Sequence, residues 1–458
     1  MTAHTPALVV GGGISGLVCA YALRKAGIDA ELVEATFRPG GVIRSEQREG
    51  FLLELGPQSF SGTAPLLELC RELGISGQLV EAPPRAPRYV LVDGALRQVP
   101  LSPPTFFTSS LFGSATKWSI LRDLFGMSQP PEQDESVAAF VRRKFSAELL
   151  EKLVGPFVSG IYAGDPEQLS LRGAFPQLHE AEKASGSILR GMMRAVRAKK
   201  GPRERPALLS FRGGNETLIH ALATRLGPAL RCGVEVAEIR LGSGVEAENF
   251  EVRLNASGRE EILRTGQLVV ATPTNIASKL LGTVDNSFEG LLGGIAYAPV
   301  AIVSLGYRKS DAGHALDGFG FLVPRAARLE ILGSVWNSPL FPGRAPDNHV
   351  LLTSFVGGAT NPAATKRSSQ ELVALVHREI APVLNLRQEP VFSNVEIYSR
   401  AIPQYNLGHT ERLAALEALR TKYPGLWLTG NYLRGPAIGA CVEQALAVAG
   451  EIIKRAAK

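Results

Sequence analysis

The residues of this chain best suited to chemistry begin at Gly11-Gly12-Gly13-Ile14-Ser15-Gly16. A Gly-x-Gly-x-x-Gly turn presents backbone N–H groups to a pyrophosphate. Its first glycine permits the tight turn, its second admits the phosphates, and its third lets helix and strand pack closely. Glu34 is the second chemical element, spaced where a carboxylate accepts the ribose hydroxyls of a dinucleotide. Glycine-rich turns are common, so the flanking elements decide. Ala7-Leu8-Val9-Val10 reads as a strand, Leu17 to Lys25 as a helix with Gly27 just past its end, and Ala30-Glu31-Leu32-Val33-Glu34 as a second strand. That order is a βαβ unit. The N-terminus of its helix adds partial positive charge where the phosphates would lie.

Two further segments choose between FAD and NAD. In Glu34-Ala35-x-x-Arg38-x-Gly40-Gly41, with Arg44 beyond, a glycine pair allows a second backbone approach to a long, extended cofactor. Leu428-Thr429-Gly430-Asn431, then Gly435-Pro436-Ala437-Ile438-Gly439, reads as a strand, a turn and a helix start. The helix start is a second dipolar platform. A flavin needs one, because its N1–C2=O edge gathers negative charge on reduction, whereas reduced nicotinamide does not. FAD is therefore the expected cofactor.

The chain has 458 residues, too many for one core, with 45% hydrophobic and 20% charged content. A net charge of +6 suits an anionic substrate or an anionic membrane surface, and is too small and too spread to argue for nucleic acid. Cys19, Cys70, Cys232 and Cys441 lie far apart with no CxxC pair, which reads as buried thiols in a reducing compartment and offers no metal site. No secretory signal is read, and no apolar run is long enough to span a membrane. Leu291 to Tyr307 comes nearest and is broken by Gly293, Gly294 and Pro299. The expected location is intracellular: cytoplasmic, or peripheral on the inner face of the cell membrane.

The expected fold class is α/β, in the multi-domain α+β sense: a Rossmann-like FAD-binding domain, a mixed-sheet substrate domain and a helical insertion. The nucleotide-binding domain reads as three pieces, 1–83, 206–285 and 401–458. Segment 84–94 reads as a strand of the substrate domain, Arg88-Tyr89-Val90-Leu91-Val92, turning at Asp93-Gly94. Segment 95–205 reads as the helical insertion, with one helix from Glu135 to Phe145 opening at Asp134. Segment 286–400 reads as the main substrate domain, with a helix around Gln370 to Val383. Within 183–205, Leu189, Met192, Met193 and Val196 form an apolar face among Lys183, Arg190, Arg194, Arg197, Lys199, Lys200, Arg203 and Arg205. This stretch reads either as an interfacial helix on anionic lipid or as a solvated helix leading to a basic loop.

With these motifs in place, the chain resembles the flavin amine oxidase and protoporphyrinogen oxidase superfamily, and within it the oxygen-dependent protoporphyrinogen IX oxidases. The resemblance rests on Gly160-Ile161-Tyr162-Ala163-Gly164-Asp165-Pro166, on Ile402-Pro403-Gln404-Tyr405-Asn406-Leu407-Gly408-His409, and on Gly318-Phe319-Gly320-Phe321-Leu322-Val323-Pro324 with Phe355-Val356-Gly357-Gly358. It runs in order along essentially the whole chain. It implies FAD contacts at Gly11, Gly12, Gly13, Ile14, Ser15, Gly16, Glu34, Ala35, Val42, Gly56, Pro57, Gln58, Ser59, Val236, Asn431, Pro436, Ala437 and Ile438. It implies substrate contacts at Arg88, Gly164, Leu322, Val335 and Phe355, with Arg88 holding a propionate and Phe355 stacking on a pyrrole ring.

The implied reaction takes six electrons from protoporphyrinogen IX over three cycles, a hydride leaving a meso carbon for the flavin and a proton leaving a ring nitrogen. Oxygen is the implied electron acceptor, reduced to hydrogen peroxide. No catalytic residue is assigned, because the flavin carries the chemistry, and His409 reads as a structural histidine. Oxidation of coproporphyrinogen III, flavin amine oxidation and a non-catalytic flavin- or porphyrin-binding scaffold stay open as alternatives. A peripheral membrane contact and a second copy of the chain are candidate partners.

Overall fold

The structure, a computed structural model, describes residues 2–198, 207–242 and 250–457. Two seven-stranded sheets organise it. In the first, the strands Leu230–Cys232, Ala30–Glu34, Thr2–Val10, Arg259–Val270 and Leu426–Leu428 run parallel. Their side chains from Ala7 to Val10 are at most 3% exposed, as expected of parallel strands covered on both faces. Phe250–Ala256 and Val234–Leu241 extend the sheet as antiparallel strands.

Helices Ile14–Lys25, Ala64–Glu72, Glu216–Leu226 and Ile438–Ala456 supply the core on one face of this sheet. Thr274–Gly282, Ser287–Gly293 and His409–Arg420 supply it on the other. The first helix begins at Ile14, one turn earlier than the apolar spacing alone suggests, because Gly13 already has the extended backbone of an N-cap.

The second sheet runs Phe392–Pro403, Tyr297–Arg308, His349–Gly357, Ile331–Trp336, Gly320–Leu322, Arg88–Val92, Ala95–Gln98. Arg88–Val92 pairs parallel with Gly320–Leu322 and turns into Ala95–Gln98 through Asp93 and Gly94, both at positive φ. One face is covered by the helix Ser369–Leu384, which buries Leu372, Leu375, Val376, Ile380 and Leu384. A Ser368–Glu371 capping box opens that helix, and left-handed Asn385 ends it.

Helices from Pro103 to Ala198 form the third part. The helix expected from Glu135 spans Val137–Lys144 and is capped by Ser136, whose side chain accepts the Ala139 N–H. Asp134 is already engaged, accepting from Ser170 Oγ at 2.9 Å and Gly408 N–H at 3.2 Å. Buried Asp123 and Glu182 are matched by Lys144 and Arg143, at 2.9 and 2.8 Å respectively. The apolar face of Ile188–Ala198 is only partly covered: Met192, Met193 and Val196 are exposed, as are Trp118, Phe125 and Met127. Lys199, Lys200, Arg203 and Arg205 lie outside the described residues.

Candidate active site

The glycine turn is built as its spacing requires. Gly11 has φ +107°, and a Cβ on Gly16 would lie 1.9 Å from Gly11 O. A Cβ on Gly13 would meet no protein atom within 4 Å, so this glycine faces open space. No side chain caps Ile14–Lys25 and its first turn holds no acid, so its leading N–H groups are free for an anion. Glu34 is aimed in advance: Gly12 N–H donates to Oε2 at 2.7 Å, while Thr36 N–H and Oγ donate to Oε1 at 2.9 and 2.7 Å.

The glycine pair lies against this turn, with Gly40 N–H donating to Gly12 O at 2.7 Å. Arg38 donates to the carbonyls of Pro39, Gly41 and Ile43, bracing the loop that carries exposed Ala35 and Val42. Val236 sits at a bulge of its strand, beyond Gly233, whose N–H donates to Thr36 O.

Gly56-Pro57-Gln58-Ser59 closes the cradle. A Cβ on Gly56 would fall 1.9 Å from Val42 O. Asn215 Nδ2 donates to Pro57 O at 2.7 Å, and Gln58 Nε2 donates to Glu54 O. Behind the loop, burial pushes the Glu54 carboxyl up to about 7, opposed by Arg344 at 3.0 Å and by donors from Ser45 and Asn215.

At the far end, Asn431 lies in the turn before Pro436, Ala437 and Ile438, where a second uncapped helix starts, Ile438–Ala456. Three buried threonine hydroxyls without partners flank these features: Thr272 beside Gly11, Thr63 beside Gly439, and Thr429 after the strand Leu426–Leu428. The spacing of the glycine motifs did not reveal them. Two free helix N-termini and unmatched hydroxyls offer donors, and a pre-aimed carboxylate offers an acceptor, in a set that an extended dinucleotide fits.

The substrate candidates are far apart in sequence, and strand register brings them together. Arg88 lies opposite Gly320, and Gly320 opposite Val335. Leu322 lies opposite Gly333, and Gly333 opposite Phe355. Directly paired residues share a sheet face, so Arg88, Val335, Leu322 and Phe355 occupy neighbouring rungs of one face, opposite that covered by Ser369–Leu384. Gly320 and Gly333 leave the floor between them without side chains. A Cβ on either would strike the neighbouring backbone, at 2.0 and 2.6 Å.

The Arg88 guanidinium sits 5.3 Å above the Phe319 ring and makes no ion pair among the described residues. Gly164 follows left-handed Ala163 at the end of Gly155–Tyr162, the helix that packs on this face through Gly160 and Leu322. One side-chain link joins this face to the cradle, and a second joins its covering helix to the segment before His409. Asn337 Nδ2, just past Ile331–Trp336, donates to Gln58 Oε1 at 2.7 Å, and Gln404 Nε2 donates to Tyr162 O at 2.8 Å.

His409 is buried and stacks on Tyr405, with ring centroids 4.3 Å apart. Burial first, then Arg412, holds its pKa down at about 4. It is neutral at pH 7 and a poor acid there, in line with a structural role. The unfolded imidazole titrates near 6.5, so the native state binds this proton later than the unfolded chain. Stability from this group is present above pH 6.5 and lost as pH falls through 4, up to about 3 kcal/mol. Denaturant titrations of wild type and His409→Phe should differ in slope across that window. Parallel curves would reject the assignment.

Comparison with known proteins agrees with this architecture. The family model "Flavin containing amine oxidoreductase" matches residues 14–453. A chloroplastic protoporphyrinogen oxidase of Oryza sativa subsp. japonica is 37% identical, over 97% of this chain and 87% of its own length. A coproporphyrinogen III oxidase of Bacillus subtilis is 28% identical, over 97% of each chain. A solved protein of Exiguobacterium sp. 255-15, provisionally named a protoporphyrinogen oxidase, superposes with a TM-score of 0.81 at 25% identity, covering 99% of this chain and 100% of that one.

Proposed function

From its place in the flavin-containing amine oxidoreductase family, to which this chain belongs, we propose that it oxidises protoporphyrinogen IX to protoporphyrin IX in haem biosynthesis. The chain is an FAD-dependent oxidoreductase. The observation that carries the substrate is the sheet face on which Arg88–Gly320–Val335 and Leu322–Gly333–Phe355 form adjacent rungs. A flat glycine floor between apolar walls, with a guanidinium at its edge, suits a planar-edged tetrapyrrole bearing carboxylates.

FAD, when bound, supplies the two-electron acceptor. The chain's own residues bind and orient. Arg88 grips a propionate, Phe355 and Leu322 hold pyrrole faces, and Gly164 lets the backbone come close to the macrocycle. None of these is an acid or a base at neutral pH, so protons lost from the substrate leave to solvent. Six electrons and six protons pass in three steps to three dioxygen molecules, giving three hydrogen peroxide. One arginine among these residues matches two propionates better than the four of coproporphyrinogen III.

Under anaerobic conditions, protoporphyrinogen should bleach the flavin, and air should restore it with three peroxide per porphyrin. Faster turnover of coproporphyrinogen would move the assignment to that substrate. Binding without bleaching would leave only a scaffold.

The same reading sets the protein peripherally on an anionic membrane, on the cytoplasmic side. Trp118, Phe125, Met127, Met192, Met193 and Val196 are exposed apolar residues of Ser114–Phe125, Ile188–Ala198 and the segment after the first, with Lys117, Arg122, Arg194 and Arg197 on the same two helices. Among the described residues no helix is long and apolar enough to cross a membrane. Phe125→Ser with Met127→Ser should reduce co-sedimentation with anionic vesicles. Equal sedimentation would remove this surface.

A further inference from the structure

Tyr405 is fully buried, and its hydroxyl makes two hydrogen bonds to one turn: it donates to Asn431 O and accepts from Gly435 N–H at 2.7 Å. That turn carries Gly430 at φ +158° and Gly435 at φ +136°, and leads straight into the uncapped helix Ile438–Ala456. Within Asn431–Gly435, the Tyr405 hydroxyl is thus the clamp that joins both ends.

The tyrosine is itself held from the other side. Its carbonyl accepts Ser170 N–H at 2.8 Å, and Leu407 N–H donates to Gln168 O at 2.9 Å. The preceding Gln404 donates to Tyr162 O, at the end of the helix that leads to Gly164. His409 stacks on the ring at an interplanar angle of 9°. One short strap therefore ties the helical insertion and the Gly164 loop to the turn that sets the last helix N-terminus.

We infer that Tyr405 is a positioning residue for the flavin end of the cofactor, holding the Asn431–Gly435 turn so that the N-terminus of Ile438–Ala456 faces the flavin pyrimidine edge. The inference rests on the FAD reading of this site and not on the identity of the substrate. A helix N-terminus stabilises negative charge only over its first turn. A turn loosened by loss of the hydroxyl withdraws that field from the edge where charge gathers on reduction.

Tyr405→Phe keeps the ring and its stack on His409 and removes only the two hydrogen bonds. The measurements are FAD binding to apoprotein and the midpoint potential of the bound flavin, titrated with a chemical reductant in place of a porphyrinogen. The expected result is about a tenfold weaker FAD complex and a more negative potential, with a changed visible flavin spectrum.

Tyr307→Phe is the matched control. Tyr307 is also fully buried, but its hydroxyl bonds to His377 in the core of the other sheet. It should lower thermal stability and leave the potential in place. A Tyr405→Phe protein whose FAD affinity and potential equal wild type, or one whose changes are matched by Tyr307→Phe, overturns the inference. If wild type fails to oxidise protoporphyrinogen while Tyr405→Phe still shifts the potential, the substrate assignment falls and the positioning role stands.

Discussion

Gly16→Ala should purify without FAD and refuse added FAD, with its dissociation constant raised at least about 100-fold. Alanine in a helix is ordinarily better than glycine by about 1 kcal/mol. Here that gain is outweighed, because the new methyl would sit 1.9 Å from Gly11 O, a backbone atom with no rotamer to escape into. Relief requires Ile14–Lys25 to move off the strand Thr2–Val10, and overpacking of this kind costs about 3 kcal/mol. The movement carries away the free N–H groups on which the pyrophosphate depends.

Gly13→Ala separates the cofactor from the fold. Its Cβ meets no protein atom, and its backbone at φ −69° and ψ 174° suits any residue. The apoprotein should therefore melt as wild type does while FAD binds more weakly, since the open space at Gly13 is where the phosphates approach. If Gly13→Ala binds FAD normally and Gly16→Ala retains it, the dinucleotide does not lie on this turn.

Arg88→Ala should raise the Michaelis constant for protoporphyrinogen roughly 10- to 100-fold, with FAD content and the spectrum of the bound flavin unchanged. A charge-assisted hydrogen bond to a carboxylate contributes about 1.5–3 kcal/mol, and tenfold corresponds to about 1.4 kcal/mol. Arg88 is exposed and has no acidic partner among the described residues, so its removal leaves no orphaned charge and little cost to stability. Phe319 beneath the guanidinium limits its freedom before substrate arrives. Arg88→Lys should recover only part of the loss, because an ammonium cannot form the two-pronged contact. Steady-state kinetics by porphyrin fluorescence reads all three proteins. An unchanged constant in Arg88→Ala takes this residue out of the site.

The elements readable from sequence were those whose signal is local. The start of the helix Ile438–Ala456 was legible, because a glycine turn precedes it. The start of Val137–Lys144 lies two residues beyond the expected Glu135, because Ser136 and not Asp134 caps it. Which one caps depends on Ser170 and Gly408, distant partners that claim the aspartate. The apolar face of Ile188–Ala198 is exposed, and its helical spacing is the same for an interfacial helix as for a solvated one.

The FAD cradle belongs to what sequence determined by itself. A tight turn, a close approach and a following acid are written at short range, in the conformations that only glycine tolerates and in the reach of one carboxylate. The candidate substrate face is a matter of tertiary structure. Arg88, Leu322, Val335 and Phe355 become neighbours only because Arg88–Val92 pairs parallel to Gly320–Leu322 in a particular register. A slip of that strand by one residue would turn Arg88 to the opposite face, toward Ser369–Leu384. Register is settled by packing between distant segments. The same physics hid the Tyr405 clamp, whose two partners lie some thirty positions downstream and are met only when the chain folds back on itself.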